Sequence, residues 1–158
     1  MAQGNEIIVS AERKGHREEV IVSGTPKPGC IMEVVPATAS SRGIFTYRAT
    51  TRTTGAKGGC PILLPNHLLG KTVGDAYVSG EQGFIYWPVA GEEFNLRVTD
   101  VAGTADDVAI GDLFGVETTT GQLKANSSYT SAPFAALEAV TDPTADYLLW
   151  VKYLGNNA

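Results

Sequence analysis

Residues 74–98 read GDAYVSGEQGFIYWPVAGEEFNLRV, and the placing of glycine-acid pairs in this stretch decides the class of fold. Gly74-Asp75, Gly80-Glu81 and Gly91-Glu92 lie within it and Gly111-Asp112 follows. Their intervals are irregular for a sequence repeat but natural for β-turns. Between them stand short runs rich in aromatic and branched residues, FIYWPV (84–89), FNLRV (94–98) and DLFGVE (112–117). Residues of that kind suit a pleated surface. In EFNLRV (93–98) the alternation is clean, with Phe94, Leu96 and Val98 on one side and Asn95 and Arg97 on the other, which reads as a half-buried strand.

The last apolar run, DYLLWVKYL (146–154), is different. Tyr147, Leu149, Val151 and Tyr153 share one face and Leu148, Trp150 and Leu154 the other, with only Lys152 interrupting the second. A strand apolar on both faces is expected to be covered twice, by a core and by a helix or another subunit. Helix patterns are scarce. PFAALEAV (133–140) fits two helical turns or, with Pro143 close behind, a strand. The reading is mainly β.

Outward from this region, the first residues hold two branched runs, EIIVS (6–10) and EEVIVS (18–23), separated by the charged AERKGHR (11–17). Two readings stand for residues 1–23: a hairpin, or a loosely held arm that finds its partner strand on another molecule. SGTPKPG (23–29) marks a turn, because Pro26 and Pro28 stop ladder pairing and Gly29 tolerates a left-handed backbone. CIMEVV (30–35) resumes as a strand. Residues 36–59 form a long excursion rich in Ser, Thr, Gly and Ala around one strand-like piece, IFTYRA (44–49). Long loops in compact domains are usually functional or mobile, and contact is the use expected here. The division is thus an arm or hairpin at 1–23, able to exchange with a neighbour, and a single β domain at 24–158.

At 158 residues the chain suits one core. Charged residues make up 18%, below the usual quarter, so much of the surface is uncharged and fit for packing against other molecules. The net charge of −5 hides an asymmetry: through Lys71 there are nine Lys and Arg against five Asp and Glu, or +4, and beyond it three against twelve, or −9. No acid stands between Val34 and Gly74, where Arg42, Arg48, Arg52, Lys57 and Lys71 fall. That stretch is either an ordinary solvated face or a basic surface for an acidic partner. Nucleic acid is not expected to bind directly, because the protein is acidic overall and these arginines are not interleaved with stacking aromatics. No membrane span of roughly 18 apolar residues is present, and MAQGNE does not read as a signal peptide, so synthesis in a bacterial-type cytosol is expected. Cys30 and Cys60 read as buried thiols, with pairing as the alternative.

No catalytic constellation emerges. There is no G-x-S-x-G elbow, and His16 and His67 are too far apart to seed a metal cluster. His67, beside Leu68 and Leu69, reads as a structural imidazole. Adjacent carboxylates such as Glu92-Glu93 and Asp106-Asp107 point to opposite faces of a strand and read as turn and solubility residues. PNHLLGKT (65–72) ends like a phosphate-binding loop but has Pro65, which lacks an N–H, where the first glycine belongs. It reads as a polar turn. Trp87 and Trp150 each lie in apolar runs and read as core or interface, with a sugar-binding platform as the alternative.

Several motifs together carry a resemblance. A leucine-glycine turn at 69–70, DAYVSGE (75–81), an aromatic-proline step at 87–88, GE (91–92) before the alternating strand, IGDLF (110–114), a GQL hairpin (121–123) and the last strand span residues 68–154. In this order they resemble the decoration, or cement, proteins of tailed-bacteriophage capsids, and TPKPG (25–29) fits as well. The arm and the Ser/Thr-rich excursion fall outside the resemblance. It implies a small β-barrel or β-sandwich-like domain, β-tulip-like, with at most short helices, to which the residues themselves add the extended N-terminal arm. It implies no enzyme activity and no cofactor or metal. It places the protein on the outer surface of the virion capsid, as a homotrimer clamping adjacent major capsid subunits, with no membrane partner. The residues expected at capsid or oligomer contacts are Ile7, Ile8, Val9, Arg13, Arg17, Arg42, Arg48, Arg52, Trp87, Trp150 and Tyr153. A tail-tube or head-fibre component, or a carbohydrate-binding adhesive module, are the alternatives.

Overall fold

The computed structural model describes residues 6–9, 14–36, 44–51, 59–99, 107–125 and 132–155. Among these the protein is mainly β, as the turn spacing indicated, with a single 3-10 turn at His67–Leu69 as its helical content. A first sheet contains β1 (His16–Val22), β2 (Met32–Val34), β3 (Thr46–Ala49), β4 (Ile62–Leu64) and β5 (Gln82–Trp87) in the order β2-β3-β1-β5-β4. A second contains β6 (Glu93–Arg97), β8 (Leu113–Val116), β9 (Leu123–Ala125), β10 (Phe134–Ala136) and β12 (Leu148–Tyr153) in the order β6-β12-β10-β8-β9. The short β7 (Asp107–Val108) and β11 (Val140–Thr141) pair with each other. PFAALEAV is therefore strand, β10 and the start of β11.

Both sheets curl until their edges touch. In the first, Ile31 bridges Ile62, supported by Gly29 N–H to Leu63 O and Met32 N–H to Pro61 O, both 2.8 Å. In the second, Val98 bridges Leu123. Neither contact continues as a ladder, so neither sheet is a closed barrel, and the two pack as a sandwich. The curl gives the first sheet an interior of its own, filled by Val20, Val22, Met32, Leu63, Tyr77 and Ile85. Its outer side chains, among them Ile31, Ile62 and Tyr86, join Phe94, Leu96, Phe114, Phe134, Leu149 and Val151 in the larger core. Each fully buried side chain of this kind contributes about 2 kcal/mol. Gly83 is needed for the curl, since a Cβ there would stand 2.7 Å from Val22 Cγ2 and 3.1 Å from the Tyr77 ring.

The glycine-acid pairs do their work in the turns. At 78–81, 89–92 and 109–112 the last residue's N–H donates to the carbonyl of the first, at 3.0, 3.1 and 3.1 Å. In the same turns the carboxylate of Glu81, Glu92 or Asp112 accepts the first residue's N–H, at 2.7, 2.7 and 2.8 Å. The intervening glycine has φ near +95° in all three, a conformation a side chain would strain. Sequence spacing located these turns, and the reciprocal bond explains why an acid follows each glycine.

The N-terminal segment divides differently from the expectation. Residues 16–22 are no arm, since β1 is the middle strand of the first sheet, antiparallel to β5 from His16↔Trp87 to Ile21↔Gln82 and parallel to β3. Nor do the two branched runs form a hairpin with each other, because Ile8 bridges Phe94 on β6. The physical reason is burial: Val20 and Val22 fill the first interior, whereas Ile7 and Ile8 fill the core between the sheets. Cys30 and Cys60 belong to these two separate clusters, so no disulfide joins them, and both are buried thiols. Burial pushes their pKa values up to about 11 and about 12.

Candidate functional site

The GKT stretch resolves into turn chemistry. Asn66 Oδ1 accepts Leu68 N–H at 3.1 Å and its Nδ2 donates to Gln82 O at 2.9 Å, which closes the 3-10 turn. Gly70 takes the left-handed conformation at the turn's end. Asp75 accepts both the N–H and the hydroxyl of Thr72, at 2.8 and 2.7 Å. Lys71 Nζ is committed to Glu81, at 3.1 Å, and to Ala76 O. The Thr72 amide and the Lys71 ammonium thus have intramolecular partners, in keeping with the polar-turn reading. His67 departs from expectation. It is exposed, as are Leu68 (86%) and Leu69, because the turn projects away from the core.

Of the residues expected at contacts, Arg13, Arg42 and Arg52 lie outside the described residues. Ile7 (2% exposed) and Ile8 (9%) are core residues, and Val9 (40%) faces outward. Arg17 lays its guanidinium 3.7 Å above the Phe84 ring. Arg48 pairs with buried Glu33 at 3.1 Å, so part of its charge is answered within the chain. Tyr153 is buried against Phe134.

Trp87 is half-buried, stacks on His16, and donates its indole N–H to Glu18 at 2.8 Å. Its ring also lies over Gly59, where a Cβ would stand 3.2 Å from Cε3. Trp150 is half-buried and donates to Glu93 at 3.2 Å, while its backbone N–H meets Glu138 at 2.8 Å. The second face of the last strand, for which a helix or subunit was expected, is thus partly covered by the chain's own acids.

These residues do not converge on one point. Ile7, Ile8 and Arg17 do come together, lining with Leu64, Pro65 and His67 a recess of about 150 Å³. A larger and more open recess of about 500 Å³, which shares Arg17 and His67 with the first, is lined by Glu19, Leu68 and Phe84. The lining mixes apolar side chains such as Ile7, Leu64 and Phe84 with the charged Arg17 and Glu19.

Two polar centres escaped the reading of the sequence. Glu92 is 3% exposed and accepts four hydrogen bonds, from Tyr86 OH and Lys14 N–H at 2.6 Å, Val89 N–H at 2.7 Å and Gly15 N–H at 3.3 Å. Burial by itself would raise its pKa, but these bonds, the Tyr86 hydroxyl's first, outweigh it and hold the carboxyl below its ordinary range. Arg97 is 4% exposed. Its guanidinium donates to Pro28 O at 2.8 Å, Asp146 O at 2.9 Å and Val73 O, and Asp146 Oδ1 stands 3.8 Å away. Asp146 also takes Lys27 Nζ at 2.7 Å and Gln122 Nε2 at 2.6 Å. Burial raises the Asp146 pKa, but the Lys27 bond and the nearby cations win and lower it. Nothing in sequence separated Glu92 from Glu81 or Asp112, and alternation put Arg97 on the polar side of its strand. Among the described residues no group of three or more His, Cys, Asp and Glu could hold a metal ion.

No protein-family model and no curated protein matches the sequence. Among solved structures, the chain is similar to the head fiber gp8.5 N base of bacteriophage phi29, with a TM-score of 0.54 at 7% identity. The match covers 88% of this chain and 93% of that one, so the two share a fold over nearly their whole lengths.

Proposed function

We propose that this chain is a structural protein of a tailed-phage virion, bound to the outer surface of the capsid, whose output is contact area rather than turnover. The observation that carries the reading is the fold shared with a phage head-fibre base over 88% of the chain. The cement-protein resemblance across residues 68–154 supports it independently, since it rests on the order of turns and strands in the sequence. The partners are the major capsid protein and further copies of the chain, and neither nucleic acid nor membrane is engaged directly.

In the finer reading the protein clamps adjacent capsid subunits as a homotrimer. Junctions repeat over an icosahedral shell, so modest affinity per copy becomes large in aggregate. Arg42, Arg48 and Arg52, in the acid-free stretch from Val34 to Gly74, are the cations proposed for that contact. A second reading, the base of a head fibre, is favoured by the identity of the structural neighbour. Cosedimentation with expanded and unexpanded capsids tests the common part, with binding to the expanded shell expected; failure to bind either shell would sink it. Heat-induced DNA release then separates the two readings, because a clamp raises the release temperature and a fibre base leaves it unchanged.

A further inference from the structure

The outer edge of β6 is built as a strand-accepting slot. Val9 N–H donates to Glu93 O at 2.9 Å, Asn95 N–H to Ile7 O at 2.8 Å, and Asn95 Nδ2 to Glu6 O at 2.7 Å. Ile7 fits against Gly29, where a Cβ would stand 3.3 Å from Ile7 Cδ1. Four residues thus contribute two side chains to the main core and cover an edge that would otherwise offer itself for pairing.

Their anchorage is separate from that of β1. Lys14 and Gly15 amides are held by Glu92, at one end of the slot, and β1 is held by β5 and β3. Residues 6–9 can therefore leave the slot without any loss to the pairing of β1. The corner they enter by is apolar on its outside. Val9 and Val89 are exposed on either side of Glu92-Glu93, and exposed Leu154 follows Tyr153, whose carbonyl accepts Gly91 N–H at 2.8 Å. Gly155 lies against Ala90, where a Cβ would stand 3.4 Å from the Ala90 Cβ.

We propose that copies of this chain associate at the Gly91–Glu93 corner by exchanging residues 6–9, each copy's segment filling the β6 slot of its neighbour. The occupant is a second copy because the slot's contacts are already satisfied by this sequence and the apolar patch is continuous with the slot. Reach sets the geometry. The chain from Val9 to Lys14 spans at most about 17 Å when extended, so the neighbour's Glu93 must stand within that distance of the donor's Lys14. That requirement brings Val9, Val89 and Leu154 of both copies into one contact. The proposal deepens the capsid-surface reading by assigning the self-contact, and it is tested on the free protein, so its failure leaves capsid binding untouched.

Full-length chains carrying Val9→Cys or Glu93→Cys, each with a different tag, are coexpressed and oxidised. Exchange produces a disulfide between the two tags, up to the half of the material that random pairing of the two variants in a dimer allows. With the two cysteines on separate chains, the absence of any disulfide between the tags overturns it. Should the cysteine variants fold poorly, sedimentation equilibrium of Val89→Asp/Leu154→Asp against the unaltered chain replaces them. A shift from oligomer to monomer supports exchange at this corner, and an unaltered chain that is itself monomeric, or a variant whose association is unchanged, removes it.

Discussion

Glu92 and Arg97 stand at opposite ends of β6, both nearly inaccessible to water, and each meets the cost of burying a charge in its own way. Glu92 is surrounded by neutral donors, three amides and a hydroxyl, that all point at one carboxylate. Arg97 is surrounded by neutral acceptors, three carbonyls, with one carboxylate beyond them. The difference teaches what each end does. The Glu92 corner gathers two chain segments by their amides, the lead into β1 at Lys14-Gly15 and the turn at Val89, and the end of β5 by the Tyr86 hydroxyl. The Arg97 junction ties the turn before β2, the loop before β5 and the segment leading into β12 through their carbonyls, so it locks the two sheets together.

The comparison breaks first at Arg97. Arg97→Ala strands three buried carbonyls and leaves Asp146 without its guanidinium, and urea unfolding is expected to show a loss of about 3 kcal/mol. A loss under about 1 kcal/mol would mean that water replaces the guanidinium and that the junction is not a lock. Glu92→Gln keeps the shape but turns one acceptor into a donor facing amides, with an expected loss of about 2 kcal/mol at neutral pH. Here pH sharpens the contrast. The folded-state pKa of Glu92 lies below its unfolded value, so its stabilisation is complete above the unfolded value and disappears as pH falls through the folded one. The gap between wild type and Glu92→Gln should therefore close on acidification below the ordinary carboxylate range, and a gap independent of pH would show that the charge is irrelevant. Asp146→Asn should behave with the same sign, since its pKa is also lowered.

Asn95→Ala removes the side-chain clamp on Glu6 O and should cost about 0.5 kcal/mol. Its clearer signature is faster amide exchange at Val9 with unchanged exchange at Val20, which tests whether the segment 6–9 opens independently of β1. Lys71→Ala is expected to move the unfolding midpoint least of all and to leave the response to added nucleotide at nil, because this lysine closes a surface turn onto Glu81.

Much of the fold was readable from local pattern. Turn positions followed from glycine-acid pairs, β6 from the alternation of Phe94, Leu96 and Val98, and β12 from its two apolar faces. The candidate contacts were less readable, and the reason lies in what alternation reports. A period of two says which residues share a face, but all three residues of β4 are buried once the first sheet curls, as are Ile85 and Tyr86 on opposite faces of β5, and Arg97 on the polar face is buried by loops from elsewhere. Ile7 and Ile8 read as adhesive, which they are, toward the chain's own β6. Arg48 read as a capsid or oligomer contact, and Glu33, fifteen residues away in sequence, lies 3.1 Å away in space.

The sequence by itself determined that the chain turns often and that its strands are short, and the order of its turns over residues 68–154, a little over half the chain, carried the resemblance to phage cement proteins. These depend on backbone conformation and side-chain period, which act over a few residues. Only the tertiary structure decided which strands meet, that β1 is central while residues 6–9 guard an edge, and that Glu92 and Arg97 are buried. Those outcomes depend on contacts between residues far apart in the chain, up to the 89 positions between Glu6 and Asn95, which the curl of each sheet selects and no local pattern encodes.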